Sequence, residues 1–153
     1  MQELPHHYKV SASGAREGKL ALESEALQPI ETASPREFGG PGNLWSPETM
    51  LAGAVAGCFI LSFRAIARAS SFPWLDLTCE AEGRLERADG TLQFTEFTLR
   101  PTLKIPTGGD RGRAIRLLEK AESGCLVANS LRSSRRLEPA VIEAPAETTG
   151  EAR

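Results

Sequence analysis

The sequence predicts one domain of the α+β class, containing both α-helices and antiparallel β-strands. An apolar run at 49–63 contains no charged residue, whereas 75–85 and 92–105 alternate between apolar and polar side chains around a turn at 88–90. The first pattern predicts a buried helix, and the second predicts a hairpin of long strands with one face in water. With 153 residues and 41% hydrophobic content, the chain has enough apolar surface for one sizeable core. We therefore expect a single domain over 1–143.

The N-terminal part of the chain predicts a short hairpin followed by a loop. Residues 8–13 alternate with the period of a strand, 14–18 form a glycine-bounded turn, and 19–24 form the returning strand. Two prolines and the Gly-Gly-Pro-Gly segment at 39–42 interrupt the stretch 28–45, so we expect a long irregular loop there. Loops of this length in compact domains are usually functional.

A long helix is predicted from Pro47 to about residue 70. Ser46 is a good N-cap, and proline suits the first helical position because the N–H that it lacks would have no partner there. The first half of this helix is apolar on every face, which predicts cover from several directions. Its fifteen uncharged residues, 49–63, fall short of the roughly 20 needed to cross a bilayer, so we interpret it as a core helix.

The second half of the chain adds further elements after the long hairpin. Gly124 is expected to end a second helix immediately before Cys125. The predicted elements are a helix at 113–123 capped by Asp110, a short helix at 126–131, a last strand at 137–142 and a flexible tail at 144–153.

Charge and composition exclude several classes of partner. The formal net charge is −2, and both signs are spread along the chain, so there is no basic surface for nucleic acid or an anionic membrane. The N-terminus has no basic segment followed by an apolar one, as a secretion signal would require. We expect a cytoplasmic protein whose partners are small molecules or other proteins, with no nucleic acid and no membrane.

The three cysteines are the candidate reactive residues. An odd number in a reducing compartment argues against a structural disulfide framework. Cys79 shares the apolar face of a predicted strand and is expected to be inert. Cys58 lies in the middle of the uncharged helix, where its thiol is reactive only if cationic groups reach it from elsewhere in the fold. His6 and His7 have no ligand spacing, so we expect neither a metal nor a cofactor.

Two motifs around these cysteines resemble a known family. The first is Phe-Gly-Gly-Pro-Gly-Asn-Leu-Trp-Ser-Pro-Glu at 38–48 with Ala-Gly-Cys-Phe at 56–59, and the second is Lys-Ala-Glu-Ser-Gly-Cys-Leu-Val-Ala-Asn-Ser at 120–130. Together they resemble the OsmC/Ohr family of thiol-dependent peroxidases, over residues 8–137. The chain departs from the family where Cys-Leu replaces the common Cys-Pro, and where Trp-Ser-Pro-Glu replaces Thr-Asn-Pro-Glu.

The resemblance implies a fold and a set of site residues. It implies an intertwined homodimer in which antiparallel sheets wrap two central helices. It also implies a peroxidatic Cys58 and a resolving Cys125. In the Ohr branch an arginine activates the thiol and a glutamate orients that arginine, which corresponds here to Arg16 and Glu48. In the OsmC branch the arginine precedes the helix, where this chain offers Arg36 as the alternative.

The implied reaction is the reduction of alkyl or lipid hydroperoxides. Only a thiolate attacks peroxide, and a neighbouring guanidinium favours the thiolate. The resulting sulfenic acid condenses to a disulfide, which an external dithiol, such as a lipoyl protein or a thioredoxin-like protein, must reduce. We expect an apolar pocket that includes Leu44, Trp45 and Phe59. The alternative is an OsmC-like binding or stress-associated protein without significant turnover.

Overall fold

A computed structural model of the chain describes residues 1–146, which form helices and strands in the mixed order expected of the α+β class. The chain divides into two compact units, 1–51 and the part from Ala52 onward. The predicted single domain over 1–143 stays a prediction. Most of the predicted tail, 147–153, lies outside the described residues.

The first unit contains a three-stranded antiparallel sheet. Its strands are β1 (Ser11–Gly14), β2 (Leu20–Glu23) and β3 (Ile30–Thr32), in the order β1-β2-β3. The first hairpin is confirmed, although β1 begins three residues later than the alternation predicted. The prediction of an irregular loop over 28–45 is wrong in part, because that stretch contains β3 and a 3-10 helix at Arg36–Phe38. Thr32 is buried there, and its hydroxyl donates to the Trp45 carbonyl at 2.7 Å.

Helix α1 (Pro47–Ala69) confirms the long predicted helix to within one residue at its end. Its start is fixed by two reciprocal hydrogen bonds. The Thr49 N–H donates to Oγ of Ser46 at 3.1 Å, and the Ser46 N–H donates to Oγ1 of Thr49 at 2.8 Å. Both donors belong to the first turn or its cap, where no intrahelical partner exists.

Within one chain, only a stripe of α1 is covered. The buried side chains recur every four residues, and Phe63 meets Trp74 edge-to-face at 5.4 Å between ring centroids. The stripe is Val55, Phe59, Phe63 and Ala67. The prediction of cover from several directions is therefore not met within the chain, since Leu61 on the opposite side is 61% exposed.

The length and hydropathy of α1 differ from the expectation based on its uncharged run. The helix has 23 residues, and its most apolar 18-residue window has a mean hydropathy of 1.9, which satisfies the requirement for a membrane span. The uncharged run is shorter than the helix because the charged residues Glu48 and Arg64 flank it on either side. A core helix satisfies the same length and composition requirement, and we interpret α1 as a core helix.

The second unit is built on a mixed sheet. The strands are β4 (Asp76–Ala88), β5 (Thr91–Pro106), β6 (Ser134–Leu137) and β7 (Ala140–Ala144). The long hairpin of β4 and β5 is antiparallel, as predicted, but β6 and β7 both pair with β5 in parallel. The predicted single strand at 137–142 is therefore wrong. Pro139 lies between β6 and β7, and proline cannot donate to a ladder.

One face of β5 supplies much of the core of this unit. Its odd-numbered residues 97–105 are buried, because successive side chains of a strand point to opposite faces. Helix α2 (Arg111–Ser123) lies against β5 and β7, and its N-cap Asp110 accepts the Arg113 N–H at 2.8 Å, as predicted. A short helix, α3 (Leu126–Asn129), follows and confirms the predicted turn of helix. Cys125 lies at the junction of α2 and α3.

Candidate active site

The second unit brings two of the predicted site residues together. Cys58 is half-buried in the middle of α1, and Cys125 is fully buried at the N-cap position of α3. The two thiols are neighbours in the fold, close enough for Cys58 to shift the pKa of Cys125, although 67 positions separate them in the sequence. The Cys125 backbone is held on both sides: its N–H donates to the Glu122 carbonyl at 3.2 Å, and its carbonyl accepts the Asn129 N–H at 2.9 Å.

The environment of Cys125 favours the protonated thiol. Burial raises the pKa of Cys125, and the neighbouring Cys58 raises it further, whereas the backbone N–H groups of Ala128 and Val127 oppose both effects. These two N–H groups lie near the Cys125 sulfur, but they form no capping hydrogen bond to it.

Cys79 lies on β4 and has a different environment. Burial raises the pKa of Cys79 to about 11, and the proximity of Cys125 contributes to the shift. Its S–H points to the Glu80 carbonyl at 3.7 Å. Cys79 is therefore a thiol at neutral pH and a poor nucleophile.

Three further site candidates, Glu48, Arg16 and Arg36, belong to the first unit. Glu48 lies in the first turn of α1, where the helix dipole favours a carboxylate. Its Oε2 atom is buried and accepts no hydrogen bond from any residue of 1–146. A buried carboxylate oxygen without a donor carries a desolvation cost, so Glu48 has an unmet requirement for a donor.

The two arginine candidates differ in setting. Arg16 is exposed in the turn after β1. Arg36 begins the 3-10 helix, and its guanidinium lies over Gly42, where an added Cβ would come within 2.7 Å of Nε. Gly42 also has a φ of +76°, which glycine adopts without strain. Neither arginine forms an ion pair with another residue of the described chain.

Of the three residues expected in an apolar pocket, only Leu44 lines the cleft of about 530 Å³ in the first unit, and that cleft does not include Cys58. Ala33, Phe38 and Pro41 line it together with Leu44. Lys19 also lines this cleft. The prediction is wrong for Phe59, because its side chain is fully buried and cannot line an open pocket.

A polar network around Cys125 was missed by the sequence analysis. Arg135 on β6 donates to Oδ1 of Asn129 at 2.7 Å, and its Nε lies 2.8 Å from Oε1 of Glu122. Oε1 of Glu122 accepts no hydrogen bond in the described chain. Its contact with Arg135 is therefore an ion pair without a well-aligned hydrogen bond. Nδ2 of Asn129 donates to the Ser123 carbonyl at 3.1 Å. No spacing rule identifies Arg135, because the segment 132–136 contains three arginines without a motif.

Metal chemistry has no candidate site in the region that the structure covers. Within 1–146, no group of three or more His, Cys, Asp and Glu side chains could hold an ion. His6 instead contacts the Gln2 carbonyl through Nε2 at 3.1 Å.

The second unit thus has two neighbouring thiols on an α+β scaffold, and comparisons with known proteins show which family this chain belongs to. Residues 40–139 match the model of the OsmC-like protein family. The chain is 30% identical over 152 residues to the uncharacterized protein YmaD of Bacillus subtilis, covering 95% of this chain and 98% of that protein. The chain belongs to the OsmC-like family.

Named relatives and solved structures extend this result. An organic hydroperoxide resistance protein of Xanthomonas axonopodis is 29% identical over 127 residues, which cover 81% of this chain and 85% of that protein. The organic hydroperoxide resistance protein OsmC from Legionella pneumophila matches with a TM-score of 0.72 at 25% identity, covering 91% of this chain and 98% of that one. An OsmC-like protein of unknown function from Vibrio cholerae matches with a TM-score of 0.75 at 21% identity, covering 87% and 99%.

Proposed function

We propose that this protein is a thiol-dependent peroxidase that reduces alkyl or lipid hydroperoxides. The proximity of the Cys58 and Cys125 thiols within the second unit is the observation that carries the proposal. A disulfide requires two cysteines that lie close together in the fold, with Cα atoms within about 7 Å of each other. Membership of a family that includes organic hydroperoxide resistance proteins indicates the substrate class.

The proposed reaction has three steps. The Cys58 thiolate attacks the distal oxygen of the hydroperoxide, the O–O bond breaks, and Cys58 becomes a sulfenic acid while the alkoxide leaves and takes a proton as an alcohol. The Cys125 sulfur then attacks the sulfenic sulfur, which forms the disulfide and releases water. An external dithiol, from a lipoyl or thioredoxin-like protein, reduces the disulfide and returns both thiols.

Cys58 needs a cation to favour its thiolate, and the first unit supplies the candidates. Arg16 is our first assignment and Arg36 the alternative, with Glu48 orienting the guanidinium. The buried Oε2 of Glu48, which lacks a donor within 1–146, supports this pairing because a guanidinium would satisfy it. The same cation would stabilise the alkoxide as it leaves.

Consumption of organic hydroperoxide in the presence of a dithiol tests the proposal. We expect wild-type protein to turn over, and Cys58→Ser to lose turnover because the serine hydroxyl cannot form a sulfenic acid. Cys79→Ser is the matched control and should retain turnover. Arg16→Ala should slow the first oxidation of Cys58 more than Arg36→Ala does. The proposal is wrong if wild type and Cys58→Ser consume peroxide equally.

We also propose that the protein is a homodimer that joins through α1. Only 22% of the most apolar window of this helix is buried within the chain. Its uncovered side presents Leu61 between small residues, at Gly57 and Ala65. Small residues allow two helix backbones to approach closely, and an exposed apolar strip of this length is a liability for a monomer. A second copy in the cytoplasm, our proposed compartment, would cover it.

The alternative function is an OsmC-like binding or stress-associated protein that keeps the fold without turnover. The departure from the family at Cys125-Leu126, where Cys-Pro is common, is the observation that favours this alternative. A binding protein would retain its thiols but would not consume peroxide, so the assay above separates the two functions.

A further inference from the structure

A side-chain clamp encloses the segment that carries Cys125. Arg135 contacts Glu122, three residues before the cysteine, and Asn129, four residues after it. Asn129 closes the loop by donating to the Ser123 carbonyl. The end of α2 and the end of α3 are therefore tied to one guanidinium, and Cys125 lies between them.

The clamp is anchored on the sheet. Arg135 lies on β6 in register with Phe97 of β5, whose side chain is buried in the core. The side chains of Arg135 and Glu122 are only 24% and 19% exposed, so solvent screens their attraction less than it would at the surface. The planar guanidinium can contact both partners at once, which a lysine ammonium cannot do with the same geometry.

We propose that Arg135 is a positioning residue that holds the thiol of Cys125 against Cys58. The role rests on the proposed peroxidase function, because it matters most at the step in which the Cys58 sulfenic acid and the Cys125 thiol form a disulfide and water. Fixing two reacting groups in contact raises their effective concentration. Without the clamp, the junction between α2 and α3 opens and Cys125 spends less time within reach of Cys58.

A thiol-disulfide equilibrium tests this role without peroxide. Full-length protein is equilibrated with mixtures of oxidised and reduced dithiothreitol, and the Cys58–Cys125 disulfide is quantified by mass spectrometry. Arg135→Ala should require roughly tenfold more oxidised dithiothreitol than wild type to form half of the disulfide, because a charge-assisted contact has been removed. Arg135→Lys should recover part of this shift, since it keeps the charge near Glu122.

The matched control is Arg136→Ala. Arg136 is the next residue on β6, its side chain is 66% exposed, and its ion pair within 1–146 is with Glu138 at 3.6 Å. Arg136→Ala should leave the thiol-disulfide equilibrium with dithiothreitol unchanged. If Arg135→Ala fails to fold, Asn129→Ala replaces it, because Asn129 is exposed and its loss removes one side of the clamp. Equal equilibria for wild type and the clamp variants would overturn the inference.

A second measurement separates this inference from the proposed function. Stepwise addition of tert-butyl hydroperoxide should oxidise Cys58 to the sulfenic acid equally fast in wild type and Arg135→Ala. The variant should then accumulate more sulfinic acid and less disulfide, because slow condensation leaves the sulfenic acid exposed to a second peroxide. One outcome is that wild type reacts with no peroxide although Arg135→Ala still needs more oxidised dithiothreitol than wild type to form the disulfide. In that case the peroxidase proposal fails and the positioning role stands. A slower first oxidation with an unchanged ratio of disulfide to sulfinic acid would overturn the role.

Discussion

At the scale of single residues, the three thiols differ because their surroundings differ. Cys58 is half-buried in a helix, whereas Cys125 is fully buried at a helix start. Burial raises the pKa of both Cys125 and Cys79, so both are protonated at neutral pH. Of the two, Cys125 is the one that lies beside Cys58, and access to the sulfenic sulfur is the property that a resolving thiol needs most.

The raised pKa of Cys79 has a consequence for stability. Its folded pKa of about 11 lies above the ordinary value of 9.0, so the folded state holds the proton more tightly than the unfolded chain does. The associated stability is fully present below pH 9 and is lost as the pH rises toward 11. Reduced wild type should therefore lose more unfolding free energy than Cys79→Ala between pH 8 and pH 11, by about 1 kcal/mol once solvent screening of this half-buried thiol is included.

Urea denaturation at the two pH values measures this difference. Titration of the lysines is common to both proteins and cancels in the comparison. Parallel pH dependences for wild type and Cys79→Ala would contradict the burial of this thiol.

At the scale of elements, the signals that act locally were the reliable ones. Caps at Ser46 and Asp110 and the turn at 88–90 predicted α1, α2 and the long hairpin, because each depends on neighbouring residues only. The last strand was misjudged because its paired residues on β5 are 38 positions earlier in the sequence (Thr102 pairs with Ala140), and the effect of Pro139 depends on that pairing. Likewise, β3 is too short to show a period and is stabilised by pairing with β2.

The cap of α1 gives a prediction at this scale. Ser46→Ala removes the oxygen that accepts the Thr49 N–H, and this donor has no other partner in the helix. We expect a loss of about 0.5–2 kcal/mol in unfolding free energy, measured by urea denaturation. Ser34→Ala is the control, since its exposed hydroxyl makes no hydrogen bond to a described residue. A loss at Ser34 equal to that at Ser46 would show that the cap is unimportant.

At the scale of the whole molecule, the uncovered side of α1 is the feature that a single chain does not explain. The sequence predicted that this helix is covered from several directions, but the chain covers one stripe only. A sequence shows which surfaces are apolar and not which molecule covers them. The same limit applies to Arg135, whose partners lie on two other elements and have no signature in the sequence.

Gly57 allows a direct test of the proposed dimer. A Cβ added at this position would meet no atom within 4 Å in the chain itself. Gly57→Leu should therefore fold well, and replacing a mid-helix glycine should favour the helix by up to about 1 kcal/mol. If a second α1 packs there, the leucine blocks the interface. Wild type should then sediment at twice the chain mass of 16.5 kDa, and Gly57→Leu at that mass.

The control for this experiment is Glu119→Leu, which adds the same side chain at an exposed position on α2. It should leave the mass unchanged. A wild-type protein that sediments as a monomer, or a Gly57→Leu variant that remains dimeric, would contradict the proposed interface.

The most direct test of the account is the identity of the disulfide that forms when reduced protein reacts with one equivalent of an organic hydroperoxide. Peptide mapping by mass spectrometry should find Cys58 linked to Cys125 and Cys79 as a free thiol, and in Cys125→Ser it should find Cys58 as sulfenic or sulfinic acid. A major disulfide that contains Cys79, or a wild-type Cys58 that over-oxidises without ever bridging to Cys125, would contradict the account.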